Sequence, residues 1–468
     1  MAPYKTPGVY VEEISLFPPS VAQVETAIPA FIGYTARGPS EPTRIRSMVD
    51  YRSIFGGPSR ELPQFNIDGS GNIAPASVIP ATPVYKLYYM LELYFANGGG
   101  PCYILSVGNY VTPPAVSASN LSGALDLLKK EDEPTLILFP DAQSISNSTE
   151  YHNLYVDALA QCAELGDRFT ICDVKHADPA STDPVGDAAA EFRNRIGTSH
   201  LMYGAAYYPN LKTSLTHQFN EDELTVDNNG TPMVLRHSDE TLKDDATKAG
   251  ESLFHANDGE HRKKYYDIRK AIDSVKLVLP PGTAAAGVYA RVDSTRGVWK
   301  SPANVSLNRV MAPAVSIERD EQDGLNVSDT GKSINAIRFF TGKGVLIWGA
   351  RTLDGNSNEW RYVSVRRFFN MVEESVKKAT EPFVFEPNDA NTWVKVKAMI
   401  ENFLTLQWRA GALMGAKAEH AFFVKVGLGE TMTQEDVLNG KMIVEIGMAA
   451  VRPAEFIILR FSHKMIES

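Results

Sequence analysis

Residues 331–352, GKSINAIRFFTGKGVLIWGART, open a compact block near the end of the chain. Two runs rich in β-branched and aromatic residues lie on either side of a turn at Thr341–Gly344. This pattern is typical of two β-strands joined through a Gly-containing turn. The block that follows decides which class of fold these strands belong to.

Helices come directly after the two strands. Between residues 361 and 379 the apolar residues recur at helical spacing: Val365, Phe368, Phe369, Val372 and Val376. A second helix follows, with Asn388 or Asp389 as its N-cap. Its apolar face consists of Trp393, Val396, Ile400, Phe403 and Leu404. Further strands are predicted at 421–426, 441–450 and 455–465, so the block is of mixed α/β type.

The sequence upstream of this block has three parts. Residues 21–36 are largely apolar and predict a buried strand, and residues 271–310 are apolar and Gly-rich. Between 115 and 215, helices alternate with short apolar strands, which predicts a small wound α/β sheet. Residues 216–270 are highly polar, and we expect an exposed insertion or a solvated helix rather than core.

Both ends of the chain carry strand-like segments with no obvious partner. The N-terminal one is Val9, Tyr10, Val11, Glu12, Glu13 and Ile14. The C-terminal one contains Phe456, Ile457, Ile458, Leu459, Arg460 and Phe461. The first residues of a domain are usually loose unless something holds them. Pro18-Pro19 would keep the linker after the first strand stiff and out of a sheet.

Composition excludes several classes of protein. The 468 residues suggest two to four domains, and a net charge of −10 argues against a general nucleic-acid binder. Cys102, Cys162 and Cys172 are too few and too widely spaced for a disulfide scaffold or a zinc site. We expect no secretory signal peptide and no membrane-spanning helix.

Three motifs suggest catalytic or ligand-binding chemistry, and each has a simpler interpretation. The stretch DTGKS at Asp329–Ser333 lacks the glycine spacing of a phosphate-binding loop and predicts a turn before a strand. Asp141 and Asp173 follow apolar strands, where ligand sites of wound sheets lie, but helix capping is the commoner role. His255 and His261 lack a metal-ligand spacing. An α/β enzyme with a site at the strand ends of 115–215 remains the alternative hypothesis.

Three segments together resemble the contractile tail sheath family of phages and phage-derived injection systems. The first comprises TPGVYVEEI, TAIPAFIGYTARGP and YRSIFGG, and the second is PPGTAAAGVYARVDSTRGVWKSPANV. The third comprises SINAIRFFTGKGVLIWGARTL, WRYVSVRRFFNMVEESVKKA, FEPNDANTWVKVKAMIENFLTLQWRAGALMG and AFFVKV. The stretch EEISLFPPSVAQVETAIPAFIGYT looks more like sheaths of extracellular injection particles than like those of myophages.

The resemblance implies an α+β multidomain fold. It implies a C-terminal α/β sheath domain whose mixed sheet is completed by terminal arms of neighbouring subunits, plus an inserted outer α/β domain. The expected boundaries are an N-terminal interlacing arm at 1–20, a middle sheath domain at 21–114 and 271–330, an inserted domain with a polar surface segment at 115–270, a C-terminal inner domain at 331–450 and a C-terminal arm at 451–468.

The resemblance also implies a mechanical function. Such sheaths stack as hexameric rings around an inner tube, in an extended state that contracts and drives the tube through a target envelope. Arg409 and Lys417 are the expected contacts with the inner tube, although solvated cations at a helix turn are the simpler interpretation. The implied partners are further copies of the chain, the tube protein, and baseplate and cap proteins, with no nucleic acid, cofactor or metal. We expect assembly in the bacterial cytoplasm, and a non-contractile oligomeric coat protein is a further alternative.

Overall fold

The computed structural model describes residues 21–62, 64–67, 79–176, 180–237, 251–256 and 259–459. Within these ranges the chain forms two compact units. The larger unit contains Glu25–Met371 and the described residues from Arg452 onward, and the smaller one contains residues 21–24 and Val372–Val451. The predicted mixed α/β organisation is confirmed.

A nine-stranded sheet forms the centre of the larger unit. Numbered in chain order and given in sheet order, its strands are β12 (Val305–Ser306), β15 (Gly344–Ile347), β14 (Ile334–Phe340), β7 (Gly204–Tyr208), β6 (Phe169–Asp173), β5 (Leu136–Leu138), β1 (Pro29–Thr35), β4 (Cys102–Asn109) and β2 (Thr43–Ile45). The six strands from β14 to β4 are parallel, whereas β15 and β2 run antiparallel to their neighbours. The two strands predicted on either side of the turn at Thr341–Gly344 are β14 and β15.

This sheet divides the chain differently from the predicted domains. β14 pairs in parallel with β7, with Ile334 opposite Ala206, and β5 pairs with β1. Strands from the middle, inserted and C-terminal segments therefore share one set of backbone hydrogen bonds. Consequently the predicted boundaries at 115 and 331 do not separate different sheets, and the second compact unit begins at Val372.

Helices cover both faces of the sheet. They are α1 (Met48–Phe55), α2 (Leu87–Ala96), α3 (Ala118–Leu128), α4 (Ser148–Leu165), α5 (Pro184–Arg195), α7 (Gly282–Arg296) and α8 (Arg319–Asn326), whereas α6 (Gly259–Ser274) packs on a smaller sheet described below. Alternate residues of β1 belong to different cores: Ala30 and Ile32 pack with α3, α4 and α5, whereas Phe31 packs with α1, α2 and α7. Because successive side chains of a strand point to opposite faces, the sheet lies between two helical layers.

Small residues let α2 and α7 approach closely. A Cβ atom at Gly287 would lie 2.5 Å from the carbonyl oxygen of Tyr94, a distance that real side chains do not adopt. The stretch GTAAAG at the start of α7 thus has a packing role, since it buries the helix against α2. The sequence analysis assigned no helix here.

Residues 216–270 contain a small core of their own, so the expectation of a purely solvated insertion is wrong. β9 (Thr225–Asn228) pairs with β10 (Thr231–Val234) and with β3 (Phe65–Ile67). On α6, Tyr265, Ile268 and Ile272 are buried against these strands. Three apolar residues at helical spacing suffice to bury a helix that is otherwise strongly polar.

A third sheet completes the larger unit. It consists of β11 (Val278–Leu279), β8 (Leu211–Thr213) and β13 (Val310–Pro313). All its strands are short and pair antiparallel. The three cysteines are buried and unpaired.

The smaller unit is built around one long helix and a pair of strands. The helix α9 (Val363–Thr380) begins in the larger unit and ends in the smaller one. The other elements of the smaller unit are α10 (Ala390–Arg409), α11 (Ala418–Ala421), β16 (Phe422–Lys425), α12 (Gln434–Leu438) and β17 (Glu445–Met448). Asp389 is the N-cap of α10 and accepts a hydrogen bond from the Thr392 amide at 3.0 Å. Val396, Ile400, Phe403 and Leu404 are buried as predicted, and β16 and β17 pair antiparallel.

Candidate assembly site

The two predicted arms are described to different extents. The N-terminal segment Val9–Ile14 lies outside the described residues, as do Arg460 and Phe461 of the C-terminal segment. The remaining C-terminal residues, Phe456 to Leu459, are part of no strand in the single chain. Their side chains are 70–79% exposed although all four are large and apolar. Large contiguous apolar patches are uncommon on the surfaces of monomeric proteins, so this segment is a candidate interaction site.

An ion pair between a buried arginine and a partly buried glutamate holds the base of this apolar tail. The Arg351 guanidinium donates from Nε to Glu455 Oε1 at 2.9 Å and from Nη2 to Glu455 Oε2 at 2.7 Å. Asn326 and Tyr362 donate to the same carboxylate at 2.8 and 3.2 Å. The Arg351 side chain is only 4% exposed. A two-pronged arginine–carboxylate contact fixes orientation as well as charge.

The surroundings of Glu455 favour its ionised form. Burial by itself would raise the pKa of the carboxyl, but the hydrogen bonds from Arg351, Asn326 and Tyr362 outweigh burial and lower it. Sequence reasoning missed this pair, because the two residues are 104 positions apart and carry no motif. Glu455 is nevertheless the first residue of the strand predicted at 455–465.

The two candidate tube contacts lie in the smaller unit. Arg409 is the last residue of α10, and Lys417 precedes α11. Both are exposed, and neither forms a salt bridge with another residue in the described part of the chain. The turn between them is tight, since Gly411 and Gly415 have φ of 85° and 137°. Two cations are therefore displayed on one short, compact connection.

Asp141, one of the two strand-end aspartates, acts as a helix cap. It follows β5 and accepts hydrogen bonds from the backbone amides of Lys86 and Leu87, at 2.5 and 3.1 Å, at the start of α2. Its other oxygen accepts from the Tyr34 amide at 2.8 Å. Burial raises the pKa of Asp141 to about 6. Three backbone donors thus occupy this carboxylate.

Asp173 has the same role at the next strand. Its carboxylate accepts a hydrogen bond from the Gly282 amide, the first residue of α7, at 2.6 Å. Burial raises the pKa of Asp173 to about 7 and lowers that of the neighbouring Lys86 to about 8. The predicted capping role is therefore what the geometry shows for both aspartates.

The cap at Asp141 also fills the place where wound sheets bind ligands. β1 connects to β4 on one side, and β5 leads to β6 on the other, so the topological switch point lies between β1 and β5. Dinucleotide phosphates use the helix N-terminus at such a point. Here the Asp141 carboxylate holds that position, and a Cβ at Gly33 would lie 2.6 Å from its Oδ2.

A cleft of about 700 Å³ opens elsewhere in the larger unit, beside Arg52, Tyr85, Tyr88 and Tyr110. Its polar groups are bonded to one another. Arg52 Nε donates to the Tyr88 hydroxyl at 2.8 Å, and that hydroxyl donates to Gln218 Oε1 at 2.7 Å. The arrangement resembles a packed polar network rather than a set of groups aimed at a substrate.

The remaining motifs have structural roles. Lys332 of DTGKS donates to the Arg193 carbonyl oxygen at 2.5 Å, and the stretch forms a turn before β14. His261 bonds Asn228 at 2.9 Å, and His255 bonds Ser252 at 3.2 Å. Among the described residues, no cluster of three or more His, Cys, Asp and Glu side chains is placed to hold a metal ion. None of the helices in the described ranges combines the length and apolarity of a membrane span.

Comparison with known proteins identifies the family. The model of the phage tail sheath protein central domain matches residues 155–353, and that of the phage tail sheath C-terminal domain matches residues 356–464. The helical sheath of the anti-feeding prophage, solved by cryo-EM in its contracted state, is 32% identical over 98% of this chain and 100% of that one, with a TM-score of 0.66. The chain belongs to the contractile tail sheath family.

Two further relatives place this sheath chain within the family. It is 30% identical to a chain of the PVC sheath complex, an extracellular contractile injection system solved in the contracted state, with a TM-score of 0.66 over 99% of both chains. It is 26% identical to the tail sheath protein of Enterobacteria phage T4 over 144 residues, which are 30% of this chain and 21% of the phage protein. The chain thus matches only about a fifth of the length of that phage relative. Tail sheaths and contractile injection systems are accordingly the assemblies to which this family contributes.

Proposed function

We propose that this chain is the sheath subunit of a contractile injection apparatus. Hexameric rings of the subunit stack helically around an inner tube in an extended, metastable state, and contraction drives the tube through a target envelope. The observation that supports this most directly is the full-length likeness to a subunit of a contracted helical sheath. The energy is stored in the assembled lattice, so the subunit has no catalytic task and needs no cofactor.

The arms join neighbouring subunits in this proposal. Within the described residues the β16–β17 sheet has two strands, and two-stranded sheets are marginally stable alone. Phe456–Phe461 of one copy, and Val9–Ile14 of another, add strands to it by backbone pairing. Each main-chain hydrogen bond contributes roughly 0.5–1.5 kcal/mol net, so about five per arm hold the lattice while the linkers bend.

In this proposal the sheath subunit binds the inner tube only weakly. Arg409 and Lys417 face carboxylates on the tube surface, and exposed ion pairs are worth only about 0–1 kcal/mol each. Weak contacts let the tube slide when the sheath shortens. Baseplate and cap proteins terminate the stack, and the particle assembles in the bacterial cytoplasm before release. The subunit binds no nucleic acid and inserts into no membrane.

Electron microscopy of the purified full chain tests the proposal. We expect long hollow cylinders from the wild type, and soluble subunits without cylinders after deletion of residues 1–14. The double variant Glu12→Gln with Glu13→Gln is the control, because it keeps the main-chain donors and acceptors and should still form cylinders. Cylinders assembled normally by the deletion variant would refute the interlaced lattice.

The same images separate the alternatives. Cylinders that never shorten under any trigger would favour a non-contractile coat protein. Small discrete oligomers with a ligand bound at the strand ends of residues 115–215 would favour the enzyme hypothesis.

A further inference from the structure

One residue of the C-terminal tail, Glu455, has many more hydrogen bonds than the residues that follow it. Glu455 accepts hydrogen bonds from Arg351, Asn326 and Tyr362, and Arg351 in turn donates to the carbonyl oxygens of Asn326 and Gly355 at 3.3 Å. The next four side chains are 70–79% exposed. A partly buried carboxylate with several hydrogen bonds therefore lies one residue before an exposed apolar segment.

The chain is also fixed a few residues earlier. The Val451 amide donates to the Ala412 carbonyl oxygen at 3.1 Å within the smaller unit. Only Arg452, Pro453 and Ala454 lie between this bond and Glu455. Pro453 has a fixed φ, which restricts this connection further. The tail is thus held on both sides of residues 452–454 and released after residue 455.

We propose that Glu455 is a positioning residue that anchors the base of the C-terminal arm to its own subunit, so that the arm bends at Phe456 and not at Val451. This inference deepens the proposed function and rests on it. Arg351 follows β15, Asn326 ends α8 and Tyr362 precedes α9. Force that a neighbouring copy exerts on the arm is therefore distributed over three segments of the larger unit, those that carry Asn326, Arg351 and Tyr362.

Spin labels on the soluble full chain test the anchor without requiring assembly. A nitroxide is attached to Ala454→Cys, whose side chain is exposed, or to Ile457→Cys beyond the anchor. The three native cysteines are buried, and unlabelled wild type serves as the blank. We expect an immobilised spectrum at 454 and a mobile one at 457.

The decisive comparison adds Glu455→Gln, with Glu41→Gln as the matched control. Glu41 undergoes the same change of charge and belongs to the same unit, but it is exposed and takes no part in the hydrogen bonds of the Glu455 carboxylate. We expect Glu455→Gln to shorten the rotational correlation time at 454 at least threefold, while the control leaves it unchanged and 457 stays mobile in all variants. Equal mobility at 454 with and without Glu455→Gln would overturn the proposal.

Arg351→Lys is a second route to the same answer, because it keeps the charge and removes the two-pronged geometry. It should mobilise 454 while far-ultraviolet circular dichroism remains that of the wild type. A rigid 454 label in this folded variant would equally contradict the anchor. Failure of the wild type to form cylinders would instead refute the proposed function. The spin-label data would still test the anchor at Glu455, because they are recorded on the soluble chain.

Discussion

At the scale of single residues, two aspartates show how a strand-end carboxylate can be structural. Asp141 and Asp173 stand where a wound sheet keeps its catalytic groups, yet each accepts backbone amides at the start of a helix. The sequence favoured capping over catalysis correctly. It did not reveal which helices are capped, because the partners are 55 and 109 residues away.

The buried Asp173 should leave a signature in the pH dependence of stability. Its pKa is raised to about 7 in the folded chain from the ordinary 3.8, so the folded state binds more protons between these values. Its contribution is therefore present below about pH 4 and declines as the pH rises toward 7, by at most about 1.4 kcal/mol per pH unit.

Asp173→Asn removes this titration and leaves an oxygen to accept from Gly282. We expect the free energy of unfolding of the wild type, measured in urea, to fall relative to that of Asp173→Asn as the pH rises from 4 to 7. A constant offset between the two proteins over this pH range would contradict the raised pKa.

At the scale of elements, the spacing of apolar residues predicted the helices that are amphipathic. The apolar spacing predicted α9 and α10 within a few residues, and the Asp389 cap was among the two candidates named. It failed for α7, whose small residues are buried on nearly every side and carry no stripe. It also failed for α6, whose polar composition conceals three buried residues.

The exposed tail offers a sharp prediction at this scale. Ile457→Asp combined with Leu459→Asp should abolish cylinder formation, because each apolar side chain contributes about 1.5–3 kcal/mol when fully buried and a carboxylate opposes burial. The melting temperature of the soluble subunit should not change, since both side chains are already exposed.

Val49→Asp is the matched control for this double variant. Val49 lies on α1 and is 72% exposed, the same fraction as Leu459. It should assemble as the wild type does in negative-stain images. Normal cylinders from the double variant would show that the tail is not an assembly contact.

At the scale of the whole molecule, the principal surprise is the single sheet. The resemblance to tail sheaths implied separate middle, inserted and C-terminal domains, with boundaries at residues 115, 271 and 331. Parallel pairing of β7 with β14 joins segments 128 residues apart, from Ala206 to Ile334. Periodicity reports which face of a strand is buried but not which strand lies beside it, so this partnership could not be predicted.

The net charge of −10 sets how assembly should respond to salt. Subunits of like charge repel, and salt shortens the range of that repulsion from about 30 Å at 0.01 M to about 8 Å at 0.15 M. Apolar and backbone contacts between arms are little weakened by this screening. We expect the critical concentration for cylinder formation, measured by light scattering, to fall between these two ionic strengths, whereas a rise would indicate that ion pairs dominate the lattice.

The division of the chain between its two units has a consequence for synthesis on the ribosome. The larger unit is almost entirely encoded by one uninterrupted stretch, Glu25–Met371, which emerges before residues 372–451 and can fold as a unit while translation continues. The smaller unit needs residues from both sides of that stretch: Gln407 bonds Gln23, and Ser375 accepts from the Val24 amide. It therefore closes only after most of the last hundred residues have been made, so a nascent chain does not present a finished β16–β17 sheet to other chains made from the same message.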